Sequence, residues 1–540
     1  MGIAGAAIAA MLVVSPALAA NDPPTGASLA AYVRARAAAA DGAADIAARG
    51  YAIALADDPG NEVIAIRAFR EGIAVGDLDL ARRALAVLER SNVAPADTVM
   101  LRYADRVRAR DWPGARAAAA QVAQGPLDFV GPVLLAWVAF EEGAADPAAE
   151  LAAAEANVIS RRYAAENRAL LLIAQGDYAQ AADALSALLG NDQASLDLRL
   201  NAAQLFQGKR QGKLARELLG GNDPVLVAQR SSLGRGAKAG AAFGASRLFT
   251  RLAADLGRDE ASPLSILLGR TALLLDPTDD RARLLLADTL SQQGAGTRAL
   301  ALLDSIGAKS AFASVAQAAR VTVLTRMEDE AGALAAAKAL ADAPGATVTE
   351  AQSYGDLLVD QNRFDDAAAA YATAMARAGE GADWVLNLQR GGALEQAGRW
   401  DEALPFLRRA VELAPQEPVA LNYLGYAQVE RGENLAEGQK LLEQARALRP
   451  DDPSITDSLG WAYVQRGQWD KGLPLLEQAA AAEPGDVTIN EHLGDAYWRT
   501  GRRYEARYAW RAAAVHAEGD DAKRLAGKLA DGLAPVTAAR

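Results

Sequence analysis

The chain has 540 residues, 51% hydrophobic, 23% charged and 6% aromatic, which excludes a disordered or collagen-like polymer and exceeds one ordinary domain. Its net charge of −12 supplies no overall attraction to nucleic acid or to an anionic membrane, both of which want a basic surface. With no cysteine and two histidines, thiolate zinc sites, iron–sulfur clusters, disulfides, thiol catalysis and cysteine lipidation are impossible within the chain, and no cofactor is expected.

Residues 1–20 are uncharged and apolar from Ile3 to Val14, then carry Pro16 and the small-x-small pattern Ala17, Leu18, Ala19. That reads as a secretory signal peptide, with the mature chain beginning at Ala20 or Asn21. No Lys or Arg precedes the apolar stretch, so the amine of Met1 or an upstream start must supply the usual positive charge. A membrane anchor is the competing reading for a segment of this length. The Ala and Gly content, and the polar stretch Asn21 to Thr25 directly after it, argue against an anchor.

From residue 21 onward the text is Ala- and Leu-rich helical periodicity punctuated by Gly, Asp and Pro, so repeats are the first thing to seek. Helical units are predicted around Gly42, closed by Pro59, and around Gly76, Gly176, Gly294 and Gly355. The rest of residues 80–275 is helical but off-consensus. Within it, the run Gln207 to Lys213 and the small-residue stretch Ser231 to Ser246 invite a phosphate-loop reading. The spacing rejects it, because Arg210 follows Gly208 and Lys209 where Ser or Thr is needed, and Ala203 stands at the earlier glycine. Close helix packing explains the small residues.

The pattern sharpens after residue 346. Gly391, Gly425, Gly460 and Gly494 are spaced by 34, 35 and 34 residues, and Gly398, Gly432, Gly467 and Gly501 repeat at the same period, with Pro415, Pro450 and Pro484 closing units. A 34-residue unit of two antiparallel helices is the tetratricopeptide signature. The first glycine set is expected mid-way along each first helix, where a missing side chain lets the second helix approach. Ala403, Gly472 and Ala506 supply the facing small residues, followed by Ala410, Ala445, Ala479 and Ala513. The second glycine set fits the left-handed turn after the first helix. Asp401 and Asp470 are expected to cap the second helix, with Pro405 and Pro474 inside its first turn. Residues 21–518 hold about fourteen helical pairs at this period, leaving no room for a separate catalytic domain. Residues 519–533 read as a capping helix and 534–540 as a flexible tail. The expected fold is therefore all-α, an elongated superhelical solenoid of antiparallel helix pairs, with divergent repeats over 21–345 and consensus-like ones over 346–518.

No catalytic constellation stands out from this background. His492 and His516 are isolated, and Glu491, adjacent to His492 on a helix, points elsewhere. Tryptophan is more informative, with six of the eight at Trp384, Trp400, Trp461, Trp469, Trp498 and Trp510. Trp400, Trp469 and Trp510 are expected in the core. Trp461 and Trp498 fall on the stretch of first helix that lines the concave side of such superhelices. Tyr426, Trp461 and Asp495 follow the mid-helix glycine, and Asn422, Asp457 and Glu491 lie one turn before it on the same face. Tyr426, Trp461 and Trp498, flanked by Asn422, Asp457, Glu491 and Asp495, make a candidate peptide groove of rigid anchors and hydrogen-bonding groups. The alternative is that these aromatics pack between repeats.

The segments LNYLGYAQVERGEN, TDSLGWAYVQRGQW and NEHLGDAYWRTGRRYEARYAW resemble the C-terminal repeats of exported tetratricopeptide proteins of Gram-negative, notably alphaproteobacterial, cells. Upstream, RLFTRLAADLGR and TALLLDPTDDRARLLLADTL are similar to the same family. One related envelope protein is the lipoprotein partner of a carboxy-terminal processing protease, and this chain departs from it in lacking a lipid-bearing cysteine. The resemblance implies a non-enzymatic periplasmic scaffold that holds a protein or peptide partner, linking a protease or cell-wall enzyme to its client, without nucleic acid and without stable membrane insertion after signal cleavage. It also leaves open an assembly factor in envelope polysaccharide or peptidoglycan metabolism, contacting glycan or glycan enzymes.

Overall fold

The computed structural model describes residues 26–533 apart from 126, 157, 159 and 258–261. The proposed signal segment and the tail at 534–540 lie outside the described residues. Among the described residues there is no strand, and thirty α-helices follow one another as antiparallel pairs. The all-α tetratricopeptide-like repeat architecture expected from the periodicity is the one observed. The chain divides into two compact units, meeting at Ala336 and Ala337.

In the C-terminal unit the glycine pattern has the predicted physical meaning. A Cβ on Gly391 would stand 2.7 Å from Leu407, on Gly460 2.9 Å from Leu476, and on Gly494 2.3 Å from the Trp510 ring, so each position must stay bare for its two helices to meet. Facing them, Ala403, Ala506, Ala410, Ala445, Ala479 and Ala513 are fully buried. Gly398, Gly432, Gly467 and Gly501 turn the chain with φ of +75°, +68°, +73° and +84°, the left-handed conformation that glycine adopts without a Cβ penalty.

The helix starts differ from expectation by one or two residues, with consequences. The first helices carry the side-chain caps: Asp452 accepts from the Ile455 amide at 3.1 Å, and Asp486 from Ile489 at 2.8 Å. The second helices begin at Trp400 and Trp469 with Arg399 and Gln468 before them and no side-chain cap. Asp401 and Asp470 sit one residue inside, where their charge meets the positive end of the helix instead of capping it. Pro405 and Pro474 are consequently the sixth helical residues, beyond the first turn. Each removes one amide bond to the exposed Asp401 or Asp470, whose carbonyl water can reach.

In the N-terminal unit, helices far apart in the chain also meet, beyond the neighbour contacts of a repeat stack. Helix Val99–Arg108 meets helix Ala241–Leu256 through Tyr103 and Phe249, whose rings are 6.3 Å apart. Helix Gly131–Glu141 meets the same partner: the fully buried Trp137 lies 6.3 Å from Phe243, and Glu141 accepts from the Ala241 amide. Arg270 and Arg298 both donate to the Ala74 carbonyl at the C-terminal end of helix Glu62–Val75, where the helix dipole favours cations. The unit thus closes on itself, so contacts spanning more than a hundred residues join it. The stretch Ser231 to Ser246 serves this closure, since a Cβ on Gly244 would fall 2.1 Å from the Trp137 ring. That fits the packing explanation of its small residues.

Candidate functional site

The inner-face row lies on the first helices Pro418–Glu430, Pro453–Gln465 and Val487–Arg499. Helical pitch sets residues four apart on one face, so Asn422 and Tyr426, Asp457 and Trp461, and Glu491 and Asp495 form successive rungs, with Trp498 one turn beyond the last. What each rung touches is decided by the next helix in the stack.

At the centre, Asp457 and His492 meet although 35 residues separate them. The His492 Nδ1 lies 2.8 Å from Asp457 Oδ2, both side chains being buried. Trp461 stacks flat on the imidazole, with centroids 4.3 Å apart and planes 10° from parallel, and its indole nitrogen donates to Glu430 at 3.0 Å. Tyr426 approaches the other rings at 6.0 Å from His492. Burial alone would lower the His492 pKa, but the Asp457 carboxylate, with Glu430 and Asp495 adding charge, raises it above the ordinary histidine value. Burial and the Glu430 and Asp457 charges push the Tyr426 phenol up. When protonated, the imidazole places its charge over the electron-rich face of the Trp461 indole, which favours that form.

At the last rung the row is covered by the last helix of the described residues, Gly519–Asp531. Arg524 donates to both Glu491 oxygens at 2.8 and 2.7 Å, and Lys528 bonds Glu491 at 2.6 Å and Asp495 at 2.8 and 2.7 Å. Asp495 also accepts from Trp510 at 2.8 Å. Burial would raise the Glu491 carboxyl, yet these cations hold it down at about 2. Trp498 is 9% exposed, lies 5.2 Å from Trp510 and is overlaid by the Arg503 guanidinium at 3.8 Å. Gly532 touches its ring so closely that a Cβ there would clash.

The tryptophan classes are therefore redistributed. Trp461, expected to face the groove, is 4% exposed, whereas Trp469, expected in the core, is only half-buried. Trp400, at the equivalent position, is covered by Arg431 at 4.7 Å and donates to Glu433. At the same offsets from Trp469 the sequence has Thr500 and Arg502, of which Thr500 bonds its own helix and Arg502 lies over Tyr497. Of the seven row residues, Asn422 and Tyr426 remain half-open. The Oδ1 atoms of Asn422 and Asp457 are buried without any hydrogen bond. Sequence reasoning missed His492, Glu430, Arg524 and Lys528 as members of this cluster. For His492 the available signal was its offset of 35 residues, one repeat period, from Asp457; Glu430 follows Tyr426 by one turn of the same helix, and Arg524 and Lys528 carried no repeat signal.

Because the His492 pKa is higher folded than unfolded, its proton stabilises the C-terminal repeats fully below the unfolded value near 6.5, and that contribution is lost as pH rises through the folded value. Melting of this unit should fall as pH is raised from about 6 toward 9, and His492→Gln should flatten that dependence. A pH series of circular dichroism melts checks it, and equal slopes in the two proteins would remove His492 as the titrating group.

Among the described residues no group of three or more metal-ligating side chains forms a candidate metal site, and no helix is long and apolar enough to cross a membrane. Tetratricopeptide repeat family models match residues 355–418 and 458–522, and residues 394–461. No curated protein matches the chain. Among solved structures it is similar to a MamA fragment from Desulfovibrio magneticus RS-1, at 20% identity and TM-score 0.28 over 32% of this chain and 97% of that one. A thermophilic TPR protein of Thermus thermophilus is 22% identical, TM-score 0.31, over 34% of this chain and 100% of that one. A tetratricopeptide repeat protein from Parabacteroides merdae ATCC 43184 is 15% identical, TM-score 0.35, over 40% and 85%. Repeats of this kind generally mediate protein–protein interaction on extended concave surfaces.

Proposed function

We propose that this chain, with tetratricopeptide repeats over residues 355–522, is a non-enzymatic periplasmic scaffold that holds a protein or peptide partner on the inner face of its C-terminal repeats. The partner expected is a protease or cell-wall enzyme together with its client. The observation that carries the reading is the pair of orphaned acceptors, Asn422 Oδ1 and Asp457 Oδ1, beside the half-open Tyr426. Both oxygens have lost water without gaining a donor, and partner N–H groups entering beside Tyr426 would supply one. The last rung does not take part, because Arg524, Lys528 and Gly532 already occupy Glu491, Asp495 and Trp498.

The test is capture from membrane-free periplasm, read by mass spectrometry, with the wild type and an Asn422→Ala/Tyr426→Ala double variant. A protein retained by the wild type and lost by the double variant, at a temperature where melts show both folded, is the expected result. A partner that binds both proteins equally would move the site elsewhere, and recovery of saccharide alone would overturn the reading. Export is checked by N-terminal sequencing, which should begin at Ala20 or Asn21. An intact Met1 in the membrane pellet would contradict it.

A further inference from the structure

Closure of the N-terminal unit leaves a polar cleft of about 210 Å³ between helices Arg161–Gln175, Gln193–Gly208, Pro224–Ser232 and Ala241–Leu256, the start of helix Asp280–Gln292 with the two residues before it, and the turn at 309–312. Its charges are already matched to one another. Glu166 accepts from Arg162 at 2.9 Å and lies 3.7 Å from Arg251, Asp197 takes Arg281 at 3.0 Å, and the buried Arg247 joins Asp276 and Asp279. Removing either member of such a pair would strand a desolvated charge, so these groups hold the wall in shape. Most of their capacity is taken up by one another, although the Arg251 Nε is buried without a hydrogen bond. Lys309, at the rim, is exposed.

The hydrogen-bonding capacity left over is of another kind. Asn201 and Gln204 stand one turn apart on a single helix, Gln229 reaches the same cleft from a second helix, and none of the three side-chain amides is bonded to another described residue. Gln229 is 7% exposed, and its amide reaches the cleft without a hydrogen-bond partner among the described residues. A half-buried aromatic ring, Phe312, also lines the cleft.

We propose that this cleft binds a neutral, hydroxyl-rich ligand, a saccharide of one or two rings. A carboxamide offers a donor and an acceptor in one plane, which matches a pair of neighbouring hydroxyls. Phe312 offers an apolar face for the C–H side of a sugar ring. An anionic or cationic ligand would have to compete with ion pairs already formed, and an apolar one would leave the three amides unpaired. The cleft belongs to the N-terminal unit and does not depend on the groove assigned to the C-terminal repeats.

The experiment uses the full chain in ligand-observed NMR and calorimetric titrations with glucose, N-acetylglucosamine, their disaccharides, galacturonate and trialanine, each to about 10 mM, above the affinity range of weak sites. At least one neutral sugar should bind, and Gln229→Ala and Asn201→Ala should each weaken it by about tenfold, the loss expected for one hydrogen bond. Asn201 is half-buried and unbonded, so Asn201→Ala should melt close to the wild type, while Gln229→Ala, which also removes buried methylenes, is compared at a temperature where its melt shows it folded. Absence of binding by every neutral sugar, tighter binding of galacturonate or trialanine, or sugar binding untouched by both variants would each overturn the proposal.

Discussion

Replacing Trp461 by alanine should destabilise the C-terminal repeats by roughly 3 to 5 kcal/mol, the range for deleting a large core aromatic, and should do so far more than Trp469→Ala. Trp461 is 4% exposed; its removal takes away the flat stack on His492 and leaves Glu430 without its indole donor. It also opens a cavity beside the Asp457–His492 pair, which would then face water or an empty space. Trp469 is half-buried and packs from outside against the cluster of which Trp461 is a buried member, so its loss should cost about 1 to 2 kcal/mol. Hydrogen exchange of helices Pro453–Gln465 and Val487–Arg499 in the full chain, alongside circular dichroism melts, distinguishes the two. Equal losses, or a larger one for Trp469→Ala, would mean that the His492 stack contributes nothing to the joint between repeats.

This reversal marks where the sequence is legible and where it is not. The mid-helix and turn glycines announce themselves because each answers a local demand: Gly460 must admit Leu476, and Gly467 must turn left-handed. Such demands recur every repeat and print a period. The inner face obeys no local rule. Asp457 and Trp461 look like groove residues on their own helix, and only the stacking of the next helix brings His492 against both. The adjacency that the chain does display, Glu491 beside His492, is irrelevant, since the two side chains leave the helix toward different partners, Arg524 and Asp457. The final rung is hidden for the same reason. Lys528 and Arg524 belong to a helix that carries no repeat signature, yet it takes the place of one more first helix and saturates the carboxylates that a groove would have offered. In the N-terminal unit the periodicity is weak, and the closing contacts join residues as far apart as Ala74 and Arg298. Periodicity has no vocabulary for such pairs. The small residues before Arg247 were a visible trace of close packing, but their partner Trp137 could be found only in three dimensions.

Gly244→Ala should therefore weaken the N-terminal unit as a whole. The added Cβ would lie 2.1 to 2.2 Å from three atoms of the Trp137 indole, and Trp137 cannot retreat: it is fully buried, its nitrogen is bonded to Asn167 at 2.9 Å, and Phe140 and Phe243 flank it at 6.0 and 6.3 Å. The helices must move apart instead, at a cost of about 3 kcal/mol, the upper end of ordinary overpacking. In a stack coupled only through neighbours, the damage would stay near residue 244. In a unit closed by contacts between distant helices, helices Glu62–Val75, Val99–Arg108 and Gly131–Glu141 should lose hydrogen-exchange protection together with Ala241–Leu256 and Pro263–Leu275, because the same opening releases all of them. Trp137→Leu supplies the control: it costs stability alone but makes room for the new methyl, so the double variant should lose less than the two single losses combined. Protection lost only between residues 241 and 256, with additive single effects, would show that the long-range contacts carry no stability and that the unit behaves as an open solenoid.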